Sequence, residues 1–290
     1  MNTTIQTTIQ TTQSTRNWLK THRILLLRRF CQLSLTGLFL LGPLFEIWWF
    51  KGTLSASLIF NTIPLTDPLL LEQVIATGTN PEVTLWLGFI IVLLFYFVIG
   101  GRSYCAWVCP VNMVTDSASW LRKKLNIKTN HSFSKNSRYW MLAMILVASF
   151  VNGSLIWEQF NPVTLLSRSL IFGLNTGFIL IGMIFLFDLL VSKRGWCGHL
   201  CPMGANYRLI GQWSLTKVQA LNRKNCDDCM DCFKVCPEPH VIKPALKGNN
   251  MSTSIIMNPE CNNCGRCIEI CPQKVFKYSS RWAINLEKSA

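Results

Sequence analysis

The chain has 290 residues, half of them hydrophobic, and a mean hydropathy of +0.28, which excludes an ordinary soluble domain and favours a membrane protein with a polar extension. The formal net charge of +14 fits either nucleic-acid binding or a membrane protein with a basic cytoplasmic face. Eight of the 13 cysteines fall in two short clusters, a spacing that indicates metal ligation rather than a disulfide framework.

The N-terminal segment 1–29 is predicted to be a cytoplasmic tail, first disordered and then basic. Residues 1–15 are polar and repetitive and carry no charged side chain, so they cannot bury a core. The apolar run from about Phe30 to Phe50 is long enough to cross a bilayer, which takes roughly 20 residues. A cleaved secretory signal is the competing interpretation, because small residues follow at Ser55–Ser57.

Three further apolar runs predict three further membrane helices, within a membrane domain at 30–194. They lie at about 85–100, 139–157 and 171–191. Nearly all Lys and Arg residues fall before the first run, between the second and third, or after the fourth, the exceptions being Lys51 and Arg168. The positive-inside rule then predicts a multi-pass protein of the bacterial inner membrane with both termini in the cytoplasm, and nucleic-acid binding becomes an unnecessary explanation of the charge.

A repeated motif, R-x-aromatic-C-x3-C-P, follows the second and the fourth apolar run. The second copy lies in a connector at 195–216. The cysteines of the two copies are Cys105, Cys109, Cys197 and Cys201. The repeat predicts two tandem two-helix units in parallel topology, with both motifs at the same membrane face.

The four motif cysteines have three interpretations. They are small hydrophobes packed near the membrane, or they converge on one redox or metal site, or they contact a partner. A convergent site would hold copper or iron–sulfur, or act as a dithiol relay. A stable disulfide is disfavoured in a reducing cytoplasm.

The C-terminal segment 217–290 carries the most specific pattern in the chain. The strings CDDCMDCFKVCP and CNNCGRCIEICP both follow C-x2-C-x2-C-x3-C-P, the spacing of bacterial two-cluster ferredoxins. Three closely spaced cysteines hold one [4Fe–4S] cluster, and the fourth reaches the other cluster. The predicted ligands are Cys226, Cys229, Cys232 and Cys271 for the first cluster, and Cys261, Cys264, Cys267 and Cys236 for the second.

Structural zinc is the competing interpretation of these eight cysteines. Zinc fingers use separate four-ligand units without the crossed fourth cysteine, so the spacing favours iron–sulfur. Adjacent [4Fe–4S] clusters predict electron transfer, but the pattern names neither donor nor direction. The predicted fold class is therefore a membrane all-α protein with four transmembrane helices, followed by a small α+β two-[4Fe–4S] ferredoxin domain.

The combination of these motifs resembles the polyferredoxin-like membrane protein superfamily. The segment KGTLSASLIFNTIPLTDPL is most similar to the NapH-type ferredoxin-like family, the membrane subunits of the periplasmic nitrate reductase quinol dehydrogenase. The resemblance implies that the protein takes electrons from menaquinol or ubiquinol and passes them toward a periplasmic nitrate reductase. It also implies two partners, a periplasmic polyferredoxin subunit and a multihaem cytochrome.

Two other functions stay open. The first is a copper reductase or maturation factor, as in the related polyferredoxin-like family. The second is a docking scaffold for an electron-transfer complex. Quinol oxidation requires a proton acceptor beside an apolar pocket. Glu46 and Asp67 are the predicted quinol-site residues on the outer side. Asp188, inside the fourth apolar run, is predicted to pair with Lys193 or Arg194.

Overall fold

A computed structural model of the protein describes residues 22–127, 131, 133–173, 175–245 and 254–283. Most of the predicted N-terminal tail, residues 1–21, lies outside this range. The first helix, α1, spans Arg23–Phe45 and therefore begins within the predicted tail. It ends where Glu46 adopts a left-handed conformation with φ of 60°, which turns the chain into a small sheet.

That sheet has three antiparallel strands and lies between the first and second predicted membrane runs. The strands are β1 (Phe50–Gly52), β2 (Ala56–Ile59) and β3 (Ile63–Thr66). Lys51 pairs with Leu58, which in turn pairs with Pro64.

The central part of the chain is helical. Its helices are α2 (Pro68–Ala76), α3 (Val83–Ile99), α4 (Ser103–Trp107), α5 (Val111–Lys124), α6 (Ser137–Asn152), α7 (Ile156–Phe160), α8 (Pro162–Phe172), α9 (Asn175–Leu190), a π-helical turn at Trp196–Leu200 and α10 (Pro202–Trp213). Helices α2, α8 and α10 begin at proline, whose fixed φ suits the first helical position. The Asp67 carboxylate caps α2 by accepting the N–H of Leu69 at 3.1 Å.

The C-terminal part is a small α+β unit. Its elements are β4 (Thr216–Ala220), α11 (Asp231–Val235), α12 (Arg266–Ile270) and β5 (Phe276–Ser280), with 3-10 turns at Arg223–Asn225, Pro239–Val241, Lys243–Ala245 and Arg281–Ala283. Strand β4 pairs antiparallel with β5, placing Val218 opposite Tyr278. Val218, Ile242 and Ile256, each 1% exposed, form its core.

The prediction of four transmembrane helices is wrong. Within the described residues, only α1, with 23 residues, is long and apolar enough to cross a membrane. The other predicted spans contain α3, α6 and α9, with 17, 16 and 16 residues. At 1.5 Å per residue, a 17-residue helix extends about 26 Å, short of the roughly 30 Å hydrocarbon core.

For the third and fourth runs the error has a local cause, because these runs continue across helix ends that hydropathy does not mark. Gly153 (φ 61°) and Gly173 (φ 66°) end α6 and α8 in the left-handed conformation. Trp157 therefore belongs to α7, and Phe172 to α8, rather than to the helices that hold the rest of their runs. The all-α description is also wrong, because β1–β3 form a sheet before α2.

The first cysteine motif packs directly against α10, which follows the second. A Cβ added to Gly101 would lie 2.1 Å from the carbonyl oxygen of Tyr207 and 2.2 Å from the backbone nitrogen of Gly211. Only glycine permits this approach of two backbones. The contact brings the two copies of the repeated motif together.

Candidate functional site

The four cysteines predicted to hold the second cluster line one cavity. Cys236 follows α11, Cys261 and Cys264 precede α12, and Cys267 lies within α12. The cavity has a volume of about 20 Å³. Its apolar walls include Val218, Ile242 and Ile256. The fold thus brings Cys236 from the first string to three cysteines of the second.

The other four cysteines of the two strings form a neighbouring group. Burial raises the pKa of the Cys232 thiol to about 11, and the nearby thiols of Cys229, Cys271 and Cys226 add to that rise. Cys232 in turn helps to raise the pKa of Cys267. The two groups of thiols therefore lie next to each other, and Cys229, which is exposed, opens the first group to solvent.

The donor chemistry of both groups fits an iron–sulfur cluster. Thiolates are the form that binds metal, yet burial raises the pKa of Cys261 to about 11. Adjacent buried thiols cannot ionise together unless a positive centre compensates them. The thiol-rich, largely apolar cavity is the environment in which a cationic iron–sulfur core supplies that compensation.

The four C-x3-C-P cysteines also line a single cavity. Cys105, Cys109, Cys197 and Cys201 surround a volume of about 20 Å³, the same size as the cavity in the C-terminal unit. The motif aromatics, Tyr104 and Trp196, line it as well, together with Trp157, Val163 and Met203. Burial raises the pKa of Cys201 to about 12.

The arginine of the first motif connects this cavity to the C-terminal unit, whereas the arginine of the second motif does not contact the same group. Arg102, 2% exposed, donates to the carbonyl oxygen of Glu260 at 3.1 Å and to that of Cys197 at 3.4 Å. Arg194 instead pairs with Asp116 of α5 at 2.7 Å. Equivalent positions of the repeat therefore make different long-range contacts.

Asp188 is completely buried, and its side chain contacts the backbone of the second motif. Asp188 is 0% exposed and accepts the backbone N–H of Trp196 at 2.9 Å. Arg194, one of its two predicted partners, also forms an ion pair with Asp116, and the pairing of Asp188 with Lys193 or Arg194 stays a prediction. Asp188 thus fixes the start of the second motif.

Of the two predicted quinol-site residues, Asp67 is buried and Glu46 is exposed. Asp67 accepts a hydrogen bond from the hydroxyl of Tyr207 at 2.8 Å. The Tyr207 ring stacks on Tyr104 with centroids 4.5 Å apart, and Tyr104 lines the four-cysteine cavity. The structure does not bring Glu46 into this group. Sequence reasoning missed Tyr207, which has no motif signal.

Replacing Asp67 by asparagine should remove a pH dependence of stability. Burial raises the pKa of Asp67 to about 7, offset in part by the hydrogen bond from Tyr207. The folded protein then keeps a proton that the unfolded chain loses near pH 4, so this contribution is complete below about pH 4 and is lost as the pH rises to about 7. The loss is on the order of 4 kcal/mol. Thermal unfolding of both proteins in detergent from pH 4 to 8 measures it, and parallel pH profiles would contradict the prediction.

Glu238, His240 and Glu260 offer ligand atoms within 4.8 Å of one another. Lys135 Nζ, however, lies 3.1 Å from the Glu238 carboxylate and 2.9 Å from that of Glu260. Although burial favours the protonated acid, Lys135 and Arg138 lower the pKa of Glu260 to about 2. The ammonium group of Lys135 thus already compensates the two carboxylates. The cluster is a set of ion pairs that holds the C-terminal unit to the start of α6.

Comparison with known families assigns both cysteine regions to iron–sulfur domains. The 4Fe-4S dicluster domain matches residues 219–272. The 4Fe-4S binding domain matches 83–128 and again 174–220, each segment containing one C-x3-C-P motif. Iron–sulfur domains therefore extend across 83–272, which corrects the prediction that confined them to the C-terminal unit.

Curated relatives cover most of the chain. The methylamine utilization ferredoxin-type protein MauN of Methylorubrum extorquens is 48% identical over 82% of this chain and 83% of its own. The ferredoxin-type protein NapH of Haemophilus influenzae is 46% identical over 91% and 92%, and NapH of Escherichia coli 44% over 92% and 93%. No solved structure matches the chain. The membrane helix candidate α1 and these relatives indicate a membrane protein. The chain belongs to the NapH/MauN family of ferredoxin-type proteins, and its chemistry is iron–sulfur electron transfer.

Proposed function

We propose that the protein is a membrane electron-transfer subunit that takes electrons from quinol and passes them through iron–sulfur centres toward a periplasmic nitrate reductase. The observation that carries the proposal is the placement of two adjacent four-thiol groups in a chain similar to NapH over nearly its whole length. The donor would be menaquinol or ubiquinol. A periplasmic polyferredoxin subunit and a multihaem cytochrome would be its partners.

The ligand sets follow the two thiol groups. Cys226, Cys229, Cys232 and Cys271 would hold the first [4Fe–4S] cluster, and Cys261, Cys264, Cys267 and Cys236 the second. Such clusters supply one-electron transfer when bound. The chain contributes apolar walls that exclude water from the second site, while the exposed Cys229 provides an edge where a partner approaches the first.

Cys105, Cys109, Cys197 and Cys201 would hold a third iron–sulfur centre. Their cavity has the same donor set as the C-terminal one, four cysteine thiols. The relationship of both motif segments to a 4Fe-4S binding domain supports iron–sulfur over copper. Asp67 would accept a proton from quinol, since it is buried, hydrogen-bonded to Tyr207, and joined through Tyr104 to this cavity.

The third centre predicts a loss of iron on mutation. Combining Cys105→Ala with Cys197→Ala should remove about four irons per chain from anaerobically purified protein, because two of the four thiolates are gone. Cys31→Ala, a substitution in α1 outside both cavities, is the matched control and should keep all iron. Equal iron in the double variant and the control would contradict the third centre.

A second physiological role is supported by the MauN relatives. They are similar at 45–48% identity, as close as the NapH proteins, and their name places them in methylamine utilization. The same thiol groups would then serve electron transfer during growth on methylamine.

Deletion of the gene distinguishes the two roles. Slower quinol-dependent nitrate reduction in intact cells, with normal growth on methylamine, supports the nitrate reductase role. Normal nitrate reduction with every quinol donor would refute it, and a defect confined to methylamine would assign the protein to the second role.

A further inference from the structure

A large basic groove lies between α1, α5 and the C-terminal unit. Its volume is about 420 Å³. Six Lys and Arg residues line it: Arg29, Lys123, Lys193, Arg194, Lys234 and Arg266. Two carboxylates, Asp116 and Glu269, face them. The groove has the size of a small-molecule site and a clear excess of positive charge.

Both carboxylates in the groove are already engaged. Asp116 lies 2.6 Å from Arg29, 2.7 Å from Arg194 and 2.5 Å from Arg266. Glu269 accepts the backbone N–H groups of Ile24 and Leu25 at 2.9 and 3.2 Å, capping the start of α1.

The cations that line the groove lie close together. Burial lowers the pKa of Lys193, and the charges of Lys123, Arg194 and Arg122 lower it further. Lys123 and Lys193 are both exposed, so an anion can reach them from solvent. An arrangement of this kind gains stability when an anion enters.

The position of the groove relative to α1 indicates which class of anion the groove binds. His22, Leu25 and Arg29, on the first two turns of α1, form one wall. The outer face of the same helix continues with Leu26, Phe30 and Leu33, which are 38%, 68% and 59% exposed. Residues four and three apart share a helix face, so this apolar surface runs away from the groove along the candidate membrane helix.

Trp120 also indicates that the groove lies in the lipid headgroup region. It lines the groove and is 62% exposed, and Lys124 lies 5.3 Å from its ring. Exposed tryptophan and lysine side chains beside the start of a membrane helix are typical of the lipid headgroup region.

We propose that this groove binds the phosphate headgroup of an anionic phospholipid, with the acyl chains lying on the exposed apolar face of α1. The side chains of Lys123 and Lys193 receive the phosphate, and the lipid occupies the boundary between α1 and the C-terminal unit. A lysine near such a headgroup strengthens the attraction of the protein for an anionic lipid. The site is independent of the direction of electron flow.

Lipid binding to the full chain in neutral detergent tests the site. Native mass spectrometry with phosphatidylglycerol and phosphatidylcholine should show at least about tenfold tighter retention of phosphatidylglycerol. The double variant Lys123→Gln with Lys193→Gln should lose that preference by a factor of about ten. The control, Lys274→Gln with Lys277→Gln, removes the same charge from exposed positions outside the groove and should bind like the wild type.

Three outcomes would overturn the proposal. Equal retention of the two lipids by the wild type would show that the groove does not recognise an anionic headgroup. An unchanged preference in the groove variant would place lipid binding elsewhere. Competition by millimolar inorganic phosphate, at an affinity equal to that for phosphatidylglycerol, would show that the groove recognises free phosphate and not the lipid.

Discussion

Replacing Cys236 by alanine is expected to damage the cluster of the second cysteine string while sparing that of its own string. Cys236 belongs to the first string in sequence, but its side chain lines the cavity formed by Cys261, Cys264 and Cys267. Loss of this thiolate should abolish the second cluster or convert it to a three-iron form, with a loss of one to about four irons per chain. Electron paramagnetic resonance during stepwise reduction measures which cluster signal changes.

Two matched variants make this result decisive. Cys264→Ala removes another thiol of the same cavity, whereas Cys229→Ala removes an exposed thiol of the other group. The Cys236 spectrum should match that of the Cys264 variant and differ from that of the Cys229 variant. A Cys236 spectrum that matches Cys229→Ala would mean that each string holds its own cluster, and the crossed assignment would be wrong.

The sequence pattern was informative for the cysteines because the requirement for a cluster is chemical and local. The C-x2-C-x2-C spacing places three thiols around one centre whatever the rest of the fold does. The meeting of Cys105 and Cys109 with Cys197 and Cys201 was one of three open interpretations. It depends on a backbone contact at Gly101 that only the folded chain displays.

The membrane helices were predicted poorly because hydropathy reports composition and not helix ends. Gly153 and Gly173 interrupt apolar runs without changing their average polarity. The β1–β3 sheet was not predicted because its strands contain only three or four residues each. Such short strands carry almost no periodic signal.

The polar contacts that join the parts of the fold could not be predicted from the sequence. Asp116 is one acid within a strongly basic segment, and nothing in its neighbourhood names its partners. In the structure it contacts Arg28 and Arg29 of α1, Arg194 of the second motif and Arg266 of α12. Residues separated by up to 150 positions in sequence meet at this carboxylate.

Substitution of Asp116 by asparagine should therefore destabilise the assembly of these elements by about 3–5 kcal/mol, because it leaves buried arginines without a counter-charge. The Asp116 side chain is 9% exposed and that of Arg28 is 0% exposed, so water compensates them little. Although burial favours the protonated acid, Arg194 and Arg266 hold the pKa of Asp116 well below its usual range. The contribution is thus present in full above about pH 4 and is lost only as the pH falls further, so unfolding at pH 7 measures all of it.

Thermal unfolding in detergent at pH 7, with Asp231→Asn as the control, tests the prediction. Asp231 pairs with Lys234 at 3.0 Å, but the two side chains are 38% and 69% exposed, so its loss should cost less than about 1 kcal/mol. Adding Arg29→Gln to Asp116→Asn should restore part of the stability, because it removes one of the uncompensated cations. Arg29→Gln alone should cost little, because Asp116 then still pairs with three other arginines. If Asp116→Asn and Asp231→Asn unfolded at the same temperature, the arginine cluster would not be what holds α1 and α12 to the second motif.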